Sequence, residues 1–286
     1  MKNKIAIVTD TNSGITQEEA KELGIYLLSM PFFINNKTYY EGLTLNHEEF
    51  LEKLKTNEDI STSQVSPGVI IELWDTLLKD YDYILHIPMS SGLSSSTETA
   101  KMLANDYDGK VLVVDNKRIS VTFKQSVLDA LYLIDKGLTA KEIQETLEKN
   151  SLEAIIYLTV DTLKYLEKGG RITPAVAALG TMFKIKPVLL IDGGKLDTYK
   201  KVRGLKSAQK TMIDAIKNDI ETRFKDSDYI LYTAYCGDVE QGDKWNNIVK
   251  EAFPEHDILN DVLPMSVSCH VGPGTLGIAC IKKICE

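Results

Sequence analysis

Short apolar runs alternate with longer charged segments of helical period through the first half of the chain. Ile5-Ala-Ile-Val-Thr, Tyr26-Leu-Leu-Ser-Met, Tyr83-Ile-Leu-His-Ile and Val111-Leu-Val-Val-Asp read as four strands. Gln17 to Leu23, His47 to Lys55, Val69 to Lys79, Thr97 to Tyr107 and Ile119 to Lys136 read as helices between or after them. Thr139 opens a further helix, with Glu142 at the capping-box position. Strands that alternate with helices predict a mostly parallel sheet covered on both faces. This first unit is expected to span residues 1–152.

The pattern changes over residues 153–286, which read as an α+β unit with the ligand site between the two. Ala154 to Val160 and Tyr229 to Tyr235 look like strands. Lys186 to Ile191 and Lys195 to Lys201, joined through Asp192-Gly193-Gly194, look like a hairpin. Between these units, Gly169 to Pro187 is rich in small apolar residues around Ala175. A buried core helix accounts for that composition; the wall of a cavity for an apolar ligand is the sharper reading.

A chain of 286 residues is long enough for two such units. Its 41 acidic against 33 basic side chains leave a net charge of -8, which argues against a nucleic acid partner. No run approaches the roughly 18 apolar residues of a transmembrane segment, and no signal-peptide core follows Met1, so a cytoplasmic protein is expected. Cys236, Cys269, Cys280 and Cys285 form no Cys-x-x-Cys pair, and His270 has no second ligand at metal spacing. Neither zinc nor a disulfide is expected.

Three segments carry candidate chemistry: Ser61 to Gly68, the serine turn Ser90-Ser-Gly-Leu-Ser-Ser-Ser96, and Ser268-Cys-His-Val-Gly-Pro-Gly-Thr-Leu-Gly277. Hydroxyls at the carboxyl end of a strand lie where open α/β sheets bind ligands, and amides that open the next helix favour an anion. Each segment also has a structural explanation. Ser66-Pro67 suits a helix start, the serines suit a helix cap, and His86 suits a core position in its strand. Gly272 to Gly277 matches the dinucleotide-binding glycine pattern but leaves no room for a strand-helix-strand unit. Asp10 and Asp115 end strands and suit Asx turns or caps.

Together the segments resemble the DegV family, called FakB where its members are the fatty-acid-binding subunit of bacterial fatty acid kinase. The likeness rests on Thr9-Asp10, Thr62-Ser-Gln64, Ser90-Ser-Gly-Leu-Ser94, Leu166-Glu-Lys-Gly-Gly-Arg-Ile172 and His270-Val-Gly-Pro-Gly-Thr-Leu-Gly277, in that order along nearly the whole chain. The resemblance implies that Thr62, Ser94 and His270 hold a long-chain fatty acid carboxylate, with Ser95 as a secondary candidate. It implies an acyl chain held in an interdomain tunnel, and a kinase partner that phosphorylates the carboxylate to an acyl phosphate for phospholipid metabolism. Arg171 and Arg203 match positions implicated in engaging that kinase. No cofactor is expected on this chain; ATP and metal belong to the partner, and transient contact with a membrane surface fits the same role. Ser95 and Ser96 depart from the Gly-Thr common in the family, and Val65 from proline.

Two other readings remain open at the level of sequence. Ser94, Asp192 and His270 follow the chain order of an α/β-hydrolase triad, although the second glycine of a nucleophile elbow is missing. A non-enzymatic lipid carrier or sensor uses the same binding residues without a kinase.

Overall fold

The computed structural model describes residues 3–56, 58–172 and 185–284. Four strands, β1 (Ile5–Asp10), β2 (Tyr26–Leu28), β6 (Tyr83–Ile87) and β7 (Val111–Val113), form a fully parallel sheet in the order β2-β1-β6-β7. They are the four runs predicted from sequence. Their apolar runs are buried on both faces, as a sheet flanked by crossover helices requires. The chain reverses direction across this sheet between β1 and β6, so their carboxyl ends open a crevice at a topological switch point.

A small antiparallel sheet, β4-β3-β5, interrupts this unit with β3 (Pro31–Ile34), β4 (Lys37–Tyr40) and β5 (Ile60–Thr62). The sequence pattern did not disclose it. Only Pro31, Phe32, Ile34 and Ile60 of its strands are buried, among charged and hydroxyl neighbours, which leaves a weak period-two signal.

The second half builds a six-stranded sheet ordered β10-β9-β8-β13-β11-β12. It comprises β8 (Ala154–Thr159), β9 (Ile185–Asp192), β10 (Lys195–Arg203), β11 (Tyr229–Tyr235), β12 (Ile258–Val262) and β13 (Leu276–Lys282). The β9–β10 hairpin turns at Gly193 and Gly194, both at positive φ, as the Asp-Gly-Gly-Lys signal predicted. Central β13 was missed because its apolar run follows Gly272-Pro-Gly, which reads as a turn near the chain's end.

One core joins the two sheets: Ile7, Leu85 and Phe123 belong to the same buried cluster as Leu158, Tyr232 and Ile281. The helix Ser120–Asp135 lies within it and is buried nearly all round, with Val121, Phe123, Val127 and Ala130 inaccessible. The capping box expected at Thr139 and Glu142 is present, with Glu142 N donating to Thr139 Oγ1 at 3.3 Å and Thr139 N to Glu142 Oε2 at 2.8 Å. The serine turn meets the β9–β10 hairpin so closely that a Cβ on Gly92 would lie 2.3 Å from the Gly194 carbonyl oxygen. No described helix is long and apolar enough to cross a membrane.

Candidate ligand-binding site

Residues from both halves meet at the carboxyl ends of β1 and β6. Asp10 ties these ends together: its Oδ1 accepts from Asn12 N at 3.0 Å and Asn12 Nδ2 at 2.7 Å, and its Oδ2 accepts from Met89 N at 3.0 Å. The Asx role predicted for Asp10 is thus observed. Burial raises its pKa to about 6 despite these three donors. Asp115 likewise accepts from Ser91 Oγ at 2.6 Å and holds the serine turn from β7's side.

Thr62, the last residue of β5, and His270, on the short helix Met265–Val271, come together with Thr62 Oγ1 and His270 Nε2 3.0 Å apart. The other ring nitrogen, Nδ1, is buried without a partner among the described residues. Burial, reinforced by the Arg171 charge, lowers the His270 pKa to about 4, so the ring is neutral near pH 7. Ser94 lies in the turn after β6, where its Oγ is 2.8 Å from Ser96 Oγ and accepts from Ser96 N at 3.2 Å.

Thr62, Ser94 and His270 line one cavity, partly open to solvent. Ser63, Gln64 and Arg171 add polar wall, while Leu158, Ile191 and Leu196 form an apolar side. A second, smaller space shares Ile119, Leu158, Ile191, Val267 and Val271 with the first and is walled further by Ala234 and Ala279. The two adjoin through these shared residues, the first carrying the polar groups and the second almost wholly apolar, with walls from the six-stranded sheet and from the segments that follow β1 and β6.

Ser95, the secondary head-group candidate, and Arg203, assigned to the partner, are not among the residues that line the cavity. Ser95 is exposed at the N-cap position of the helix Ser96–Ala104, makes no capping bond and is no part of the wall. Arg203 is exposed at the end of β10, opposite Ile185. It follows Leu196 of the wall by seven residues, about 23 Å along an extended strand. Arg171 does line the cavity, is itself exposed, and donates from Nη1 to Gly169 O at 2.5 Å. The small-residue stretch around Ala175 falls in 173–184, outside the described residues.

Sequence reading missed Asn12, Met30, Met89, Leu93 and Ser266 as wall residues. Gln64 lay in a quoted motif without being assigned. It also missed Glu41, which is buried under the helix that carries His270. Its Oε2 accepts from Thr11 Oγ1 at 2.7 Å, and its Oε1 accepts from Met265 N at 2.5 Å and Ser266 N at 3.4 Å. Nothing in Tyr39-Tyr-Glu-Gly marks this glutamate as internal, because its partners are 30 and 224 positions away.

A hydrolase triad is not assembled. His270 bonds Thr62 and not Ser94, its Nδ1 has no carboxylate, and Asp192 bonds Arg223 at 3.3 Å.

Fold and cavity together define an α/β protein with a largely apolar cavity that carries hydroxyl and imidazole groups at one end. The chain belongs to the DegV family: the family model, described as uncharacterised protein of the DegV family, matches residues 4–283. It is 28% identical over 281 residues to a DegV domain-containing protein of Staphylococcus aureus, covering 98% of this chain and 99% of that one. A DegV domain-containing protein of Deinococcus radiodurans is 29% identical over 279 residues, covering 96% and 97%. Among solved structures it is similar to a fatty-acid-binding DegV family protein of Thermus thermophilus, with a TM-score of 0.88 and 26% identity over 98% of this chain and 100% of that one. DegV of Bacillus subtilis, a fatty acid binding protein, gives a TM-score of 0.87 and 27% identity over the same shares.

Proposed function

We propose that the protein binds a long-chain fatty acid in a channel formed by the two adjoining spaces and presents its carboxylate to an ATP-dependent kinase partner, which converts it to an acyl phosphate. The observation that carries the reading is the meeting of Thr62, Ser94 and His270 at the polar end of a largely apolar cavity. Fatty acid binding by the Thermus thermophilus and Bacillus subtilis relatives supports it.

The carboxylate accepts hydrogen bonds from the Thr62 and Ser94 hydroxyls, each contributing roughly 1.5–3 kcal/mol, while the neutral imidazole of His270 is paired with Thr62. Each buried methylene contributes about 0.8 kcal/mol, so a long chain dominates affinity while the head group fixes register. Residues 1–152 and 153–286 act as the two domains that enclose the ligand. This chain then needs no cofactor; ATP and its metal reside on the kinase, and the pair works in the cytoplasm. Exposed Arg171 beside the cavity and exposed Arg203 form the kinase-facing charges, while Ser94 is a ligand-binding residue and not a nucleophile. Exclusion of water protects the acyl phosphate from hydrolysis.

Mass spectrometry of lipid released from the denatured protein is expected to find a fatty acid. Phosphorylation of that acid by ATP should require both this chain and the kinase subunit. Protein that carries no lipid and fails to bind added oleate or palmitate rejects the reading. Labelling of Ser94 by a fluorophosphonate would favour a hydrolase instead.

A further inference from the structure

Gly169 ends the helix Lys164–Lys168, and the residue after it already supplies the left-handed position that such an end requires. Gly170 has φ +64° and donates to Glu167 O at 3.0 Å, while Arg171 N donates to Leu166 O at 3.1 Å, the paired bonds of a Schellman cap. Gly169 itself has φ -76° and ψ -9°, right-handed helical values that any residue adopts. Its backbone conformation therefore does not require a glycine. Space accounts for it: a Cβ on Gly169 would lie 2.1 Å from His270 Nδ1 and 2.9 Å from Cε1.

The hydrogen that occupies the Cβ direction of Gly169 therefore points at Nδ1. Gly169 N donates to Tyr165 O at 2.9 Å and Gly169 O accepts from Arg171, so neither polar group of this residue serves the ring. Nδ1 has no other partner among the described residues. A proton there would be a buried donor without an acceptor, which is rarer and costlier than an under-used lone pair. A bare Nδ1 accepts the weak Cα–H contact instead.

We infer that Gly169 is a positioning residue of the head-group site: it holds His270 in the Nε2–H tautomer, so that Nε2 donates to Thr62 Oγ1 and the Thr62 hydroxyl proton is left for an anionic oxygen in the cavity. His270 then acts partly through Thr62, and the two form a donor chain that ends on the ligand. The inference deepens the fatty acid reading and rests on it for the identity of the anion.

Ring 15N spectra of His270 and oleate titrations of delipidated protein test it together. The spectra are expected to show the proton on Nε2 in the wild type and a changed ring state in Gly169→Ala, with oleate affinity lowered about 10- to 100-fold. Because Gly169→Ala can disturb folding, His270→Gln and His270→Asn provide an independent arm. The glutamine amide reaches the place of Nε2 and the asparagine amide that of Nδ1, so Gln should retain most affinity and Asn should lose as much as His270→Ala. A proton on Nδ1 in the wild type, or retention by Asn with loss by Gln, overturns the assignment. Wild-type protein that binds no oleate overturns the fatty acid reading, whereas the spectra judge the tautomer without any ligand.

Discussion

Thr62 and His270 are 208 positions apart in the chain and share a 3.0 Å hydrogen bond across the junction of the small sheet and the helix Met265–Val271. The head-group end of the channel exists only because the two halves fold against each other. Removal of either partner leaves the other polar group facing the ligand alone. Thr62→Val is expected to lower oleate affinity about 10- to 100-fold, the range for a hydrogen bond to a charged group. Oleyl alcohol, which has no carboxylate, should lose much less. Equal losses for acid and alcohol would show that Thr62 does not serve the carboxylate.

Ala234 is 5% exposed and faces the apolar part of the channel. Ala234→Leu adds three carbons to that wall and should exclude the distal two or three methylenes of a long chain. At about 0.8 kcal/mol per methylene, stearate affinity is expected to fall by about 2 kcal/mol while myristate is little changed. Parallel titrations with the two acids decide the matter. A uniform loss would mean that the acyl chain does not pass this residue.

Arg203 is exposed and distant along β10 from the cavity wall, so its removal is expected to leave oleate affinity within about twofold. In a reconstituted assay with the kinase subunit, Arg203→Ala should lower the rate of oleate phosphorylation. Binding and phosphorylation that fall together would reject its assignment to the partner.

The parallel sheet was legible because its strands are short, mostly apolar runs separated by segments of helical period, a pattern that local sequence carries. The triad of Thr62, Ser94 and His270 was legible through polar segments and a family likeness. Ser94 ranks ahead of Ser95 in sequence only through the family likeness, since which of two adjacent hydroxyls faces a cavity depends on the turn. Glu41 and Asn12 were illegible for a different reason. Their roles come from partners brought together by tertiary packing, and a lone acid or amide has no periodicity to announce it.

Glu41 gives a pH signature. Burial raises its pKa from 4.5 to about 7, against the pull of the Thr11 hydroxyl and the Met265 and Ser266 amides. Between those values the unfolded chain has released a proton that the folded chain retains, so the stabilising contribution is present at low pH and is lost as pH rises toward 7. Glu41→Gln does not titrate. Relative to wild type it is expected to gain about 3 kcal/mol between pH 5 and 8, at about 1.4 kcal/mol per pKa unit. Urea unfolding of both proteins across that range measures the difference. A gap that stays constant with pH would mean that Glu41 is ionised in the folded state throughout.

Gly92 and Gly194 set how closely the serine turn approaches the β9–β10 hairpin. Gly92 is not among the residues with positive φ, so a side chain there is resisted by the Gly194 carbonyl and not by torsion. Gly92→Ala has to move one turn away from the other, and the residues that follow each turn, Leu93 with Ser94 and Leu196, are cavity wall. Overpacking of this kind costs roughly 1–3 kcal/mol. The variant is expected to lower the urea midpoint and to speed oleate dissociation, because the same displacement widens the channel between the halves. A lowered midpoint with unchanged dissociation would place the contact outside the ligand's exit route, and no change in either would show that the two turns separate freely.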